Sequence, residues 1–395
     1  MDKRTDWRSG NELSLLGFGC MRLPKLGPER NNIDWEKSYR LVEHCLERGI
    51  TYFDTAYYYH DGVSEPVLGE VLSRHPRGSY FLADKLPLWL VKGLSHAKEV
   101  FREQLERCRV EYFDYYLCHG LGKSEKEFAE GYLESGIFDH LLALKKEGRI
   151  KNFGFSFHGS ARVMRYLLDQ YDWDFAQMQI NYLDWEVQDA SSVYALLEAK
   201  ELPCMVMEPL RGGSLATLPE EPAAVLRQAS PDKSLASWGM RFAASLPGVV
   251  TVLSGMTTPE QVDDNIATMS PFVPLGDAER GVLADAAEKY LAQGAVPCTG
   301  CAYCMDCPAG VDIPGMFHAL NENSVSLALP VSHAPLYAFN RHAPAFLAAY
   351  EAFPPERRAE ACIACGVCVD KCPQRINIPE RMKKVADIAE ALKKA

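Results

Sequence analysis

Two sets of residues in this chain of 395 are typed and spaced for chemistry. The first set is thiols. Cys298, Cys301, Cys304 and Cys307 form C-x2-C-x2-C-x2-C-P, and Cys362, Cys365, Cys368 and Cys372 form C-x2-C-x2-C-x3-C-P. Three thiolates two residues apart wrap three corners of an iron–sulfur cubane, and so short a loop cannot reach the fourth corner. The expectation is therefore two [4Fe-4S] clusters with crossed ligation. Cys298, Cys301 and Cys304 take Cys372, and Cys362, Cys365 and Cys368 take Cys307. Zinc is the plain alternative, although zinc sites usually pair cysteines across a knuckle. A single cluster with spare thiols is another. The other five cysteines (Cys20, Cys45, Cys108, Cys118 and Cys204) are scattered through apolar segments and read as small core residues.

The second set lies at the ends of short apolar runs. YFDTAYYYHDG offers Asp54, Tyr59 and His60; Lys85 ends LADK, and His119 falls in DYYLCHG. Ser156 and Gln179 end two further runs. A phenol can give its proton to a carbonyl oxygen as hydride reaches the carbon, but at an ordinary pKa of about 10 it is a poor acid. A lysine ammonium lowers that pKa, a carboxylate holds the lysine, and an imidazole polarises the carbonyl. Each residue also has a bland explanation: a turn cap for Asp54, a snorkelling stem for Lys85, a satisfied core histidine for His119. Their recurrence on successive strand ends favours the chemical reading. Trp89, Tyr57 and Trp185 are candidates to line a substrate opening.

These residues need a frame. Apolar runs at 15–20, 52–54, 80–85, 113–118, 152–156, 175–179, 204–207 and 249–253 read as eight strands. Amphipathic stretches between them read as helices, and a last helix starts near Pro259 with Glu260 in its first turn. Eight strand–helix units predict an α/β fold, a TIM (β/α)8 barrel with its chemistry at the C-terminal strand ends. An open doubly wound sheet would carry a glycine-rich turn opening a helix after strand 1. GFGCMRLP stands there instead. The expected organisation is a barrel at 1–270, a connector at 271–295 holding a helix over 278–291, and a mainly helical, dicluster ferredoxin-like domain at 296–395. Between the cysteine runs, 328–355 reads as helices broken by proline, and the chain closes on a helix. No internal repeat is evident beyond the strand–helix alternation.

The formal charge of -11 argues against a nucleic-acid surface. No run approaches a membrane span, and the start lacks the apolar stretch of a secretory signal, so the cytoplasm is the expected location.

GITYFDTAYYYHDGVSEPVLGEVL resembles the signature of the aldo-keto reductases, and the likeness continues through LADK, DYYLCHG, KNFGFSFHG, QMQINY and SGMTTPEQVDDNI. It covers 13 to about 270. With the cysteine runs and the GVDIP and INIPE segments, the chain resembles the iron–sulfur branch of that superfamily. The resemblance implies a tetrad of Asp54, Tyr59, Lys85 and His119, with Tyr59 as proton donor. It implies NAD(P)H, its nicotinamide held by Ser156 and Gln179, with Arg211 at the pyrophosphate. The backbone at 254–258 can cradle an anion at the start of the last helix, and Ser254, Gly255, Gln261 and Asn265 are the candidate contacts there. Three departures stand out. Phe157 replaces the family's asparagine after the serine, with His158 next. Glu208 stands where a nicotinamide-stacking aromatic is expected. Gly255 and Gln261 occupy the positions whose lysine and arginine hold the 2′-phosphate of NADP, so NADP preference does not follow.

Hydride carries two electrons and a cubane takes one. A flavin at the barrel's phosphate-binding end, or a ferredoxin or flavoprotein partner, would reconcile the two. The expected function is an oxidoreductase acting on a small carbonyl or alcohol. The alternative is a non-catalytic electron-transfer or redox-sensing protein built on the same barrel.

Overall fold

The computed structural model describes residues 1–27, 29–292, 295–323 and 343–394. It divides into two compact units, Met1–Leu210 with Ala236–Gly276, and Arg211–Leu235 with Asp277–Ala395.

The first unit is a barrel. Its strands are β3 (Leu16–Gly19), β4 (Tyr52–Asp54), β5 (Phe81–Leu86), β6 (Phe113–Leu121), β7 (Ile150–Phe157), β8 (Phe175–Gln179), β9 (Cys204–Met207) and β10 (Val249–Ser254). They close in the order β10-β3-β4-β5-β6-β7-β8-β9, every pair parallel. Such strands are covered on both faces and so read as near-continuous apolar runs. Buried polar residues interrupt several of them, and β5, FLADKL, takes both Asp84 and Lys85 to 0% exposure.

Before the barrel runs an antiparallel hairpin that the sequence reading did not contain, β1 (Lys3–Thr5) and β2 (Glu12–Ser14). Leu13 joins the interior cluster with Tyr52, Tyr115 and Phe175. Asp6 is buried and accepts the Tyr115 hydroxyl at 2.9 Å. The hairpin thus closes the N-terminal end of the barrel and leaves the C-terminal end for chemistry.

Helices Trp35–Glu47, Ser64–Leu72, Leu94–Cys108, Ile137–Lys146, Ala161–Gln170, Ala190–Ala199, Leu235–Ala244 and Pro259–Met269 follow the expected periodicities. Gly69 marks one close approach. A Cβ there would lie 2.2 Å from the Arg107 carbonyl oxygen, so only glycine lets helices Ser64–Leu72 and Leu94–Cys108 touch.

The second unit departs from the expected boundaries. Helix Glu220–Ala229 packs on helix Asp277–Ala292, so the stretch read as a connector belongs to a compact body. Its other core gathers Val311, Ile313, Phe317, Phe346, Tyr350, Met382 and Val385, with Cys298, Cys307, Cys362, Cys368 and Cys372 packed against it. Most of the predicted proline-broken helices at 328–355 lie outside the described residues; helix Ala343–Glu351 is the described part. Among the described residues no helix is long and apolar enough to cross a membrane.

Candidate active site and cluster-binding tail

The C-terminal ends of β4, β5 and β6 bring four of the expected side chains together. Lys85 Nζ donates to Asp54 Oδ1 at 2.6 Å and to the Thr55 carbonyl at 2.6 Å, and lies 3.3 Å from the Tyr59 hydroxyl. The same ammonium stands 4.7 Å from the Tyr59 ring centroid. The His119 ring meets the Tyr59 ring edge-on at 6.1 Å. All four residues are buried.

The electrostatics correct one expectation. Burial holds the Tyr59 phenol well above its usual range, and the carboxylates of Asp54 and Glu208 push it the same way. Lys85 does not overcome this, so Tyr59 rests as the protonated phenol. Burial, followed by the nearby Lys85 charge and His158, pushes the His119 imidazole well below its usual value and keeps it neutral. Burial also raises the Asp54 carboxyl, while Lys85 opposes the rise.

Tyr59 is followed by a left-handed turn. His60 and Asp61 both have φ of 54°, a region in which His and Asp are enriched among residues other than glycine. His60 is a latch rather than a reacting group. Its Nδ1 donates to the Arg30 carbonyl at 3.0 Å, and its Nε2 accepts the Leu23 N–H at 3.2 Å. One ring nitrogen must be protonated and the other bare, which fixes the neutral tautomer. Burial lowers its pKa accordingly.

Of the three candidate rim aromatics, Trp89 sits at the site, 46% exposed with its ring 4.8 Å from that of His119. Tyr57 instead donates to Glu103 beneath Arg107, and Trp185 packs on Tyr194 and Phe242.

The expected cofactor contacts are only partly assembled. Ser156 Oγ accepts the Gly120 N–H at 2.8 Å and keeps its own proton to donate. Gln179 already uses both ends of its amide, pairing with His158 at 3.2 Å and donating to Asp184 at 2.7 Å. Phe157 is buried. Glu208 has a left-handed φ of 56°, and Asn181 Nδ2 donates to its carbonyl at 3.1 Å. Asn265 donates to Ser254 Oγ at 3.0 Å, and both are buried. Gln261 accepts the Thr257 N–H at 2.7 Å, so the expected anion cradle is partly filled by the chain's own amide. Sequence reasoning missed Arg22. A Cβ on Gly255 would lie 3.2 Å from Arg22 Cγ and Cδ, so the arginine stem lies against the position that lacks a lysine. Arg211 is buried, has a left-handed φ of 49° and falls in the second unit.

The tail carries an internal correspondence in its backbone that accompanies the repeat of its cysteine spacing. In each cysteine run the residues two and four after the first cysteine have left-handed φ: Gly300 and Ala302 in one, Ala364 and Gly366 in the other. Three residues beyond each fourth cysteine the same occurs, at Gly310 and Arg375. Each run then leads into a helix with proline in its first turn, Ile313–Glu322 after Asp312 and Ile378–Lys394 after Asn377. The expectation of no further repeat is thereby corrected. Alternating right- and left-handed residues turn successive N–H groups to one side and make an anion nest. Burial raises the Cys372 thiol, and the backbone N–H groups of Ile376, Gln374 and Arg375 oppose that rise. Gly300 N–H donates to Cys298 Sγ at 3.4 Å.

Among the described residues no three His, Cys, Asp or Glu side chains are gathered closely enough to hold a metal ion, yet the thiols influence one another across the runs. Burial raises the Cys304 thiol, and the neighbours that raise it further are Cys301, Cys298 and Cys372. Burial likewise raises Cys368, with Cys362, Cys307 and Cys365 as its thiol neighbours. The donor set and the backbone nests both suit an anionic iron–sulfur group.

Residues 15–279 match the Aldo/keto reductase family, and residues 297–376 match the 4Fe-4S dicluster domain. The chain belongs to the aldo/keto reductase family. It is similar to L-galactose dehydrogenase of Arabidopsis thaliana, 26% identical over 291 residues, 68% of this chain and 88% of that protein. It is also similar to NADH-specific methylglyoxal reductase of Escherichia coli, 25% identical over 327 residues, 70% of this chain and 95% of that one. Among solved structures, the holo form of aldo-keto reductase AKR11C1 from Bacillus halodurans superposes with a TM-score of 0.60 at 26% identity. That match covers 72% of this chain and 96% of the other. The chain is thus an oxidoreductase of this family with a C-terminal 4Fe-4S domain.

Proposed function

We propose that the protein interconverts a small carbonyl compound and its alcohol, and passes electrons one at a time through two [4Fe-4S] clusters. The observation that carries the first half is the contact of one buried ammonium with both Asp54 and Tyr59. A nicotinamide, when bound, would supply or take the hydride, and the likeness to an NADH-specific methylglyoxal reductase supports that choice. Tyr59 gives its proton to the carbonyl oxygen as charge develops there. Lys85 stabilises the phenolate left behind, and Asp54 holds Lys85 in place. Neutral His119 donates a hydrogen bond to the same oxygen, and Trp89 covers the opening. Ser156 offers its hydroxyl proton to the carboxamide, and Arg22 offers a cation beside 254–258.

In the tail, Cys298, Cys301, Cys304 and Cys372 hold one cluster, and Cys362, Cys365, Cys368 and Cys307 hold the other. The cross-run grouping of the thiols supports this ligation. A ferredoxin or flavoprotein is the proposed partner, because one-electron carriers match the clusters. The protein is read as working in the cytoplasm.

The experiment is an anaerobic titration of purified protein with NADH and NADPH, followed by optical absorption near 400 nm and EPR. Bleaching with reduced-cluster signals supports linked chemistry. Dithionite bleaching without nicotinamide bleaching would sever the clusters from direct nicotinamide chemistry.

A further inference from the structure

Behind the reacting face of β5, a second polar group is sealed inside the first unit. Glu65, Asp84 and Gln104 are each 0% exposed, and so is Tyr116. Asp84 precedes Lys85 on the strand, so the two side chains point to opposite faces.

The group converges on one residue. Asp84 Oδ1 accepts the backbone N–H of Lys85 at 2.8 Å. Gln104 Nε2 donates to the backbone carbonyl of Lys85 at 3.0 Å. The Tyr116 hydroxyl donates to Gln104 Oε1 at 2.6 Å, which decides which end of the amide faces the strand. Burial, followed by the neighbouring Glu65, pushes the Asp84 carboxyl well above its usual range, which lets a proton be shared between the two, and Arg107 donates to Glu65 at 3.0 Å. Side chains sealed in the fold therefore hold both the amide and the carbonyl of Lys85.

Packing alone does not explain this arrangement. Burying polar side chains is costly unless every partner is supplied, and an apolar set of similar volume usually folds at least as stably. What a buried polar lattice adds is direction. Lys85 needs direction, because its ammonium meets an oxygen of Asp54 and one of Thr55 at 2.6 Å each and Tyr59 at 3.3 Å.

We propose that Asp84, Glu65, Gln104 and Tyr116 are positioning residues that set the place of Lys85 on β5 and so the meeting of its ammonium with Asp54 and Tyr59. The proposal rests on the reading of Lys85 as part of the reacting group.

The test uses full-length protein with its clusters loaded, methylglyoxal as substrate, and NADH and NADPH in turn. Asp84→Ala, Gln104→Met and Tyr116→Phe are compared with Asp84→Asn and with Tyr59→Phe. Misplacing a reacting group by about 1 Å costs on the order of a hundredfold, so Asp84→Ala and Gln104→Met should lower kcat by about ten- to a hundredfold with KM little changed. Asp84→Asn keeps the acceptor for Lys85 N–H and should stay within about threefold of the parent. Tyr116→Phe, the least disruptive change, should fall between. Parent-like kcat in Asp84→Ala and Gln104→Met, with Tyr59→Phe inactive, overturns the positioning role alone. Parent-like turnover by Tyr59→Phe overturns the underlying reading. A crystal structure of Gln104→Met reads the proposal without turnover. Displacement of Lys85 Nζ from Asp54 supports it, and an unchanged contact overturns it.

Discussion

The barrel mouth and the cysteine tail assemble ligating and reacting groups by opposite means. In the barrel, strand register does the work. Asp54, Lys85 and His119 come from three neighbouring strands, and a side-chain hydrogen bond fixes Lys85 to Asp54. In the tail, backbone handedness does the work. Residues such as Ala302 and Ala364 accept a left-handed φ of 61° and 54°, and the peptide groups aim at sulfur. A register site fails when one side chain is removed. A handedness site should tolerate changes between its cysteines and fail when a thiol goes.

The sharpest break should come at Tyr59. Removing a general acid costs about a hundred- to ten-thousandfold, so Tyr59→Phe should lose turnover to that extent while cluster absorption near 400 nm stays unchanged. A matching loss in the tail should follow Cys372→Ala. If the two sites are independent in this way, iron falls from about eight to about four atoms per chain, and EPR loses the cluster of the first run, not of the second. Loss of the second run's signal instead would refute the crossing.

Stability separates the two regions further. Lys85→Met leaves the Asp54 carboxyl buried without its ion pair, so unfolding of the barrel should become easier by about 3–5 kcal/mol. Adding Asp54→Asn should restore most of that stability but none of the activity, measured by denaturant unfolding beside turnover. A pH series probes the latch. The buried neutral His60 has a pKa below its unfolded value, so the unfolded chain binds the proton first as pH falls. Its contribution is complete above about pH 6.5 and drains away as pH drops through the depressed folded pKa; His60→Gln should flatten that slope. The smallest effect is expected in the tail. Ala364→Gly relieves a left-handed alanine and should stabilise the loaded tail by about 1 kcal/mol, read as a later thermal loss of absorption.

What the sequence disclosed follows the same division. Strands β4, β8 and β9 fall where the apolar runs predict them, because parallel strands buried on both faces are apolar almost throughout. Asp54, Lys85 and His119 could be singled out because each interrupts an apolar run near its end, whereas Tyr59 lies in the turn beyond β4 and joined them through the signature's resemblance. The hairpin could not: KRT and ELS are too short and too polar to show a period of two. Asp84 and Glu65 gave no signal, since a charged residue's burial depends on partners distant in the chain. Arg22 became visible through its contact with Gly255. The matching halves of the tail were partly legible: the cysteine spacing and the Ile-Pro after each run repeat in the sequence, while the shared left-handed positions lie in backbone angles under differing side chains. The direction of the Tyr59 shift was missed because desolvation outweighed the one neighbour that sequence could supply.

The grouping of Cys372 with the thiols of the first run has a consequence for the order of events during synthesis. Cys298, Cys301 and Cys304 leave the ribosome well before their fourth neighbour exists. A chain interrupted between the runs would carry Cys307 with none of the three thiols it stands among. On the crossed reading, neither metal group can be completed until both cysteine runs have been made. Cluster insertion would then follow synthesis of the barrel segment, which precedes both runs and has had time to fold.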